Sequence, residues 1–171
     1  MIAVPDRVRE LSRQLSATRD SGVARDVALL GARIALAWIF IYHGAATLFG
    51  AFGGSGLHSA SIFFATVAHL HPGGFFAVVC GVTELVGGAA VGVGIFGRIA
   101  AASLVVVMVM AMVTVTFSNG IVSNAPGAGY ELNVALAALA LVVAIVGTGR
   151  YSLDVALGAY LSKPSAPKGA S

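Results

Sequence analysis

The chain has 171 residues, of which 58% are hydrophobic and 10% charged, and its mean hydropathy is +0.93. Charged residues alone make up about a quarter of an ordinary soluble domain, so this composition excludes one and points to an integral membrane protein with the lipid bilayer as its first partner. The net charge of +3 sits beside apolar stretches and forms no patch with interleaved aromatics, so nucleic acid is not expected as a partner.

Residues 1–26 hold five arginines and four acids but no short apolar core with a small-residue cleavage site. They read as a cytoplasmic tail and not as a cleaved signal peptide. Val8, Leu11 and Leu15 recur at helical spacing, which leaves open a surface-lying amphipathic helix or a solvated, flexible tail. The first span is expected over residues 27–49, VALLGARIALAWIFIYHGAATLF. It carries Arg33 and His43, roughly 15 Å apart along the axis and about 80 degrees apart around it, so both can face one side of a bundle at different depths. Arg33 is long enough to snorkel toward the headgroups, whereas the shorter His43 needs a neighbour for its imidazole.

Residues 50–72 open with glycines and contain an apolar segment too short to cross, so they are placed at the interface. His58, His69 and His71 lie in this loop without any Cys, Asp or Glu, and their spacing matches no common zinc pattern. No metal is expected there.

The second span, residues 73–96, holds nearly all of the stretch that organises the chain, residues 78–98, with Glu84 near its middle. An acid at that depth costs about 3 kcal/mol to insert, so it requires a partner. Gly81, Gly88 and Gly92 fall on the same side at helical period, and such a stripe of small residues lets a neighbouring backbone approach closely. Glu84 therefore faces protein, as a structural ion-pair member or as a proton or ligand group. Cys80, the single cysteine, cannot form an intrachain disulfide and reads as a small packing residue.

The third span, residues 99–117, is apolar all round. Its Met108, Met110 and Met112 do not share one helical face, so core or lipid contact is expected of them and not copper ligation. A loop over residues 118–129 leads to the fourth span, residues 130–147, which opens with Glu131 and Asn133. The closing GTGRYSLDVALGAYL, residues 147–161, reads as a short interfacial helix starting near Ser152, on which Arg150 and Asp154 at i, i+4 can pair, followed by a polar tail over residues 162–171.

Basic residues cluster in the amino-terminal segment, at Arg98 between the second and third spans, and at Arg150, Lys163 and Lys168, while the first and third connections have none. The positive-inside rule then puts both termini in the cytoplasm. Four spans with short connections imply an all-α, integral membrane antiparallel four-helix bundle with short interfacial helices, occupying residues 27–161 between the two tails. Within it Arg33, Arg98 and Arg150 balance Glu84, Glu131 and Asp154. Arg33, His43, Glu84 and Glu131 form a candidate intramembrane polar cluster, and Arg98, Arg150 and Asp154 an interfacial motif. By depth Glu84 falls between the levels of Arg33 and His43, so either can be its partner.

Arg33 followed ten residues later by His43-Gly44, then TELVGGAAVGVGIFGR with Glu84 and Arg98, then Glu131 and the closing GTGRYSLD, resemble in their order and spacing the DoxX family of small four-helix membrane proteins. The resemblance covers residues 26–161, and departs where AATLF follows His43-Gly44 in place of a segment that often bears a lysine. It implies a multi-pass protein of the bacterial inner membrane, with relatives linked to thiosulfate:quinone oxidation and other thiol or oxidative-stress redox complexes. The chain shows no haem-type His pair, flavin motif or paired cysteine, so no intrinsic cofactor or autonomous electron-transfer centre is expected. Two function classes stay open. The first is a membrane subunit or anchor of a redox assembly, partnered by the other subunits, with a quinone or small substrate in a site lined by His43, Glu84, Trp38, Phe40 and Tyr42. The second is a small transporter or proton pathway through Arg33, His43 and Glu84, which would need a homo-oligomer because four short helices leave little room for alternating access. The resemblance favours the first, and whether the chain has catalytic activity of its own stays open.

Overall fold

The computed structural model describes the backbone of residues 6–122 and 127–162, with the side chains of Arg7 and of residues 22–122 and 127–162. Over these residues the protein is all-helical: α1 (Asp6–Phe49), α2 (Gly56–Thr66), α3 (Gly73–Val93), α4 (Gly97–Ala111), α5 (Glu131–Val146) and α6 (Leu153–Leu161). Among the described residues three stretches are long and apolar enough to cross a membrane: Gly22–Phe49 within α1, Gly73–Val93, and Gly97–Asn119, which is α4 with its continuation. The expected fourth span corresponds to α5, apolar but only 16 residues long. At about 1.5 Å per residue such a helix is shorter than the hydrocarbon core is thick.

α1 is one unbroken helix of 44 residues, where the sequence reading separated a tail from a span beginning near residue 27. Nothing between the two stretches stops a helix, since proline is absent and Gly22 meets no neighbouring atom. The surface face expected of Val8, Leu11 and Leu15 falls on side chains outside the description, as do Lys163, Lys168 and the tail that bears them.

α1 and α3 run antiparallel in close contact, and the glycines set the distance. A Cβ added at Gly92 would lie 2.8 Å from the Cβ of Ala37, one at Gly88 2.9 Å from that of Phe40, and one at Gly81 2.8 Å from Cγ of Leu48. The approach is mutual, because a Cβ at Gly44 would meet the main chain of α3, 2.5 Å from Leu85 N and 2.7 Å from Gly81 O. The glycine stripe therefore faces α1, as small-residue packing in lipid requires.

The core lies toward one end of the bundle, where Leu36 and Phe40 of α1, Val91 of α3, Ala101, Leu104 and Met108 of α4, and Leu136, Ala140 and Val143 of α5 meet. The three α5 residues recur at i, i+4 and i+7, one helical face. Toward the other end the bundle is filled differently. α2, the segment too short to cross, packs against α3 and α1 and buries Ala60. α4 is not regular to its end either: it widens into a π turn at Met112–Thr116 and closes with a 3₁₀ turn at Phe117–Asn119, where an even helix was expected.

Candidate functional site

Arg33 is 1% exposed and is held by the ends of other elements. Its Nε donates to the Val91 carbonyl at 2.8 Å, Nη2 to Gly92 at 2.7 Å, and Nη1 to Thr148 and Tyr151, both at 2.7 Å. Val91 and Gly92 belong to the last turn of α3, whose carbonyls have no partner within the helix. In a water-free setting these acceptors must be satisfied, and a buried guanidinium must be saturated, so each requirement meets the other. Gly94 makes room: it ends α3 in the left-handed region at φ 74, and a Cβ there would lie 2.5 Å from Arg33 Nη2. The pairing of Arg33 with Glu84, one of the two that the sequence left open, is not made. The α1–α3 register, with Ala37 against Gly92 and Leu48 against Gly81, sets Arg33 level with the end of α3, about two helical turns beyond Glu84.

The closing GTGRYSLD motif completes this knot. Asp26 Oδ1 accepts from the Arg150 main-chain N–H at 3.3 Å, and Ser152 Oγ accepts from Val155 N at 3.4 Å, capping α6. Asp154 does not pair with Arg150 as expected from their spacing. Its carboxylate accepts instead from Phe96 N at 3.0 Å and Gly97 N at 3.3 Å, at the start of α4, where the N–H groups are otherwise orphaned. Asp154 N donates in turn to the Gly94 carbonyl at 2.9 Å. Among the described residues Arg98 reaches only the Val146 carbonyl, at 3.5 Å, and the Arg150 guanidinium lies 5.8 Å from the Tyr151 ring centre.

Glu84 sits elsewhere and in another kind of setting. Although 8% exposed, it lines a cavity of about 610 Å³ bounded by α1, α2, α3, α4 and the π turn. Cys80, one turn earlier on α3, lines the same cavity. His43 and Thr47 enter the same cavity from α1, Ser55 and Ser59 from α2 and its start, Ser103 from α4 and Thr114 from the π turn. Among the described residues no hydrogen bond joins His43 to Glu84. Apolar and aromatic side chains form most of the wall, including Phe63, Phe64, Phe76 and Met110. Because α2, α3 and α4 contribute exposed residues such as Phe63, Val79 and Val106, the cavity is open and not sealed. A π turn on its wall is a departure from regular helix of the kind found often at functional sites.

A family model of DoxX matches residues 28–117 of this sequence, more than half of the chain. The chain belongs to the DoxX family. Neither a comparison with curated proteins nor one with solved structures gives a match. The matched stretch runs from the Arg33 helix through α4 and the π turn, so in this DoxX protein it contains the whole cavity wall.

The residues proposed from sequence as one intramembrane cluster are thus divided by the fold. His43 and Glu84 share the cavity, Arg33 belongs to the knot, and Glu131 is exposed in the first turn of α5. The aromatic residues named for the site are also displaced. Trp38 points outward at 78% exposure, Phe40 is in the core, and Tyr42 stacks on Phe52 at 5.0 Å between ring centres. Phe63, Phe64 and Phe76 take their place, carried by the paired aromatics of α2 and α3. Cys80 was read as packing, yet its position four residues before Glu84 places it on the acid's own face. His58, His69 and His71 are exposed, and no three His, Cys, Asp or Glu side chains among the described residues converge to hold a metal ion.

Proposed function

We propose that this DoxX protein is a membrane subunit or anchor of a redox assembly, and that the Glu84 cavity receives a planar apolar ligand, of which a quinone headgroup is the best fit. The observation that carries this reading is the cavity itself. Its volume of about 610 Å³ lies within the usual range for small-molecule sites, and its wall is apolar and aromatic with few polar groups. Phe63, Phe64 and Phe76 offer ring faces and edges for stacking. Glu84, His43 and the Cys80 thiol offer groups that exchange protons, next to where a carbonyl oxygen would lie. A quinone bound there would supply two-electron, two-proton chemistry, and the electrons would come from partner subunits. The residues' part is to orient the ring, exclude water and hold a proton at the Glu84 carboxyl.

The rest of the reading follows from the spans. α5 acts as the fourth span beside α4 in an antiparallel four-helix bundle, with α2 and α6 at opposite interfaces of a bacterial inner membrane and both termini cytoplasmic. Orientation is tested in a Cys80→Ala background: a cysteine at Ser118 should react with an impermeant maleimide added outside intact cells, and one at Tyr160 should not. A proton relay through Arg33, His43 and Glu84 is disfavoured, because every polar contact of Arg33 is to a main-chain carbonyl away from the cavity. The function is tested by purifying the chain from native membranes in mild detergent. Co-purification of redox subunits and of extractable quinone is expected. A chain that emerges alone and quinone-free would contradict it.

A further inference from the structure

At the end of the bundle where Arg33 is held, α1, the α3–α4 turn and the α5–α6 connection enclose an open groove of about 700 Å³. Arg25, Arg98 and Arg150 line it, together with the acids Asp26 and Asp154. Those acids are turned toward main-chain amides, Asp26 to Arg150 N and Asp154 to Phe96 N and Gly97 N. Arg25 makes only a long contact of 3.9 Å with Asp26, its side chain 67% exposed, and among the described residues neither Arg98 nor Arg150 pairs with a carboxylate. The Arg98 guanidinium lies over Gly147, where a Cβ would come within 3.3 Å of its Nε. The groove therefore presents cationic forks whose local counter-charges are committed to holding the backbone.

We propose that this groove binds the phosphate of an anionic phospholipid, with Arg98 and Arg150 as the primary contacts. Guanidinium groups match phosphate oxygens in geometry and charge. A lipid fits better than a soluble phosphate for two reasons on the molecule. The groove lies at the ends of two membrane-crossing stretches, at headgroup level, and it carries the exposed apolar side chains Phe96, Ile99 and Val155 beside the arginines, where acyl chains would begin. This site is separate from the Glu84 cavity and does not depend on the redox reading.

The test uses the full chain, purified and delipidated in mild detergent, then offered phosphatidylglycerol or phosphatidylcholine and followed by native mass spectrometry. Wild type should retain phosphatidylglycerol in preference to phosphatidylcholine. Arg98→Gln with Arg150→Gln should weaken that retention by about tenfold or more, since a basic residue at an anionic surface contributes about fivefold. Arg7→Gln, about 27 Å along α1 from Arg25, should leave it unchanged. Equal retention of the two lipids by wild type, no effect of the double substitution, or an equal loss with Arg7→Gln would each overturn the proposal. Displacement of the lipid by glycerol 3-phosphate at the same concentration would overturn it too, by making the site one for soluble anions. If the glutamine pair does not fold, the wild-type preference decides alone.

Discussion

Arg33 and Glu84 are both buried in the bundle, at 1% and 8% exposure, yet their surroundings are opposites. Arg33 meets four main-chain carbonyls, two from the last turn of α3 and two from the α5–α6 connection, each at 2.7 or 2.8 Å. Glu84 lines an open cavity, which Cys80 of its own helix also lines. A buried charge saturated by the backbone is a structural fastening: it joins α1, α3 and the α5–α6 connection at one point. A buried acid that shares an open cavity with an imidazole is, on the reading proposed above, placed for a ligand that enters. Intramembrane charge alone does not distinguish these roles, and the satisfaction of its hydrogen bonds does.

The contrast is broken most readily at Arg33. Arg33→Gln should cost on the order of 5 kcal/mol or leave no folded protein, because hydrogen bonds to a charged group contribute about 1.5–3 kcal/mol each and the abandoned carbonyls stay buried. Thermal unfolding in detergent, or recovery by size-exclusion chromatography, reads the loss. Adding Glu84→Gln should rescue nothing, with a coupling within about 0.5 kcal/mol, since the two side chains share no partner. A rescue above about 1 kcal/mol would restore the ion pair that the sequence alone suggested.

Gly44→Ala comes next. Its Cβ would strike the main chain of α3, which cannot swing aside, so a loss of about 1–3 kcal/mol is expected. Gly81→Ala should cost less, because the atoms it meets first belong to the flexible Leu48 side chain. Equal melting temperatures for the two variants would mean that the α1–α3 contact is looser than described. Asp154→Ala should cost about 1–2 kcal/mol through loss of the α4 cap, and Arg150→Gln should not reproduce it. Matching losses would return Asp154 to the side-chain pair expected from its spacing.

Much of this organisation was legible in the sequence. Helical period placed Gly81, Gly88 and Gly92 on one face, and an acid within an apolar run marked Glu84, because both signals are carried by residues close together in the chain. What escaped depends on main-chain atoms and on distant elements. Arg33 finds its partners 58 to 118 residues away, on carbonyls that no side-chain pattern reveals. Asp154 likewise serves the amides of Phe96 and Gly97, 58 and 57 residues earlier. The cavity was hidden for a related reason: its wall requires α2 to fold against α3 and α4 to widen at Met112–Thr116, and neither event has a residue signature as strong as hydrophobic period. The Ser and Thr residues scattered through the apolar stretches, Thr47, Ser103 and Thr114 among them, were the available hint.

The smallest expected effect on stability belongs to Glu84→Gln, and it bears most directly on the division of roles. The decisive measurement is thermal unfolding of wild type and Glu84→Gln in detergent, each with and without a short-chain quinone. Without ligand the variant should melt within about 0.5 kcal/mol of wild type, because an uncharged amide is no harder to bury at that place than the acid. With quinone at a hundred times its dissociation constant, wild type should gain about 2.7 kcal/mol, and the variant should gain clearly less. A variant that is as damaged as Arg33→Gln before any ligand is added, together with a wild type that quinone does not stabilise, would show that Glu84 is a structural fastening as well.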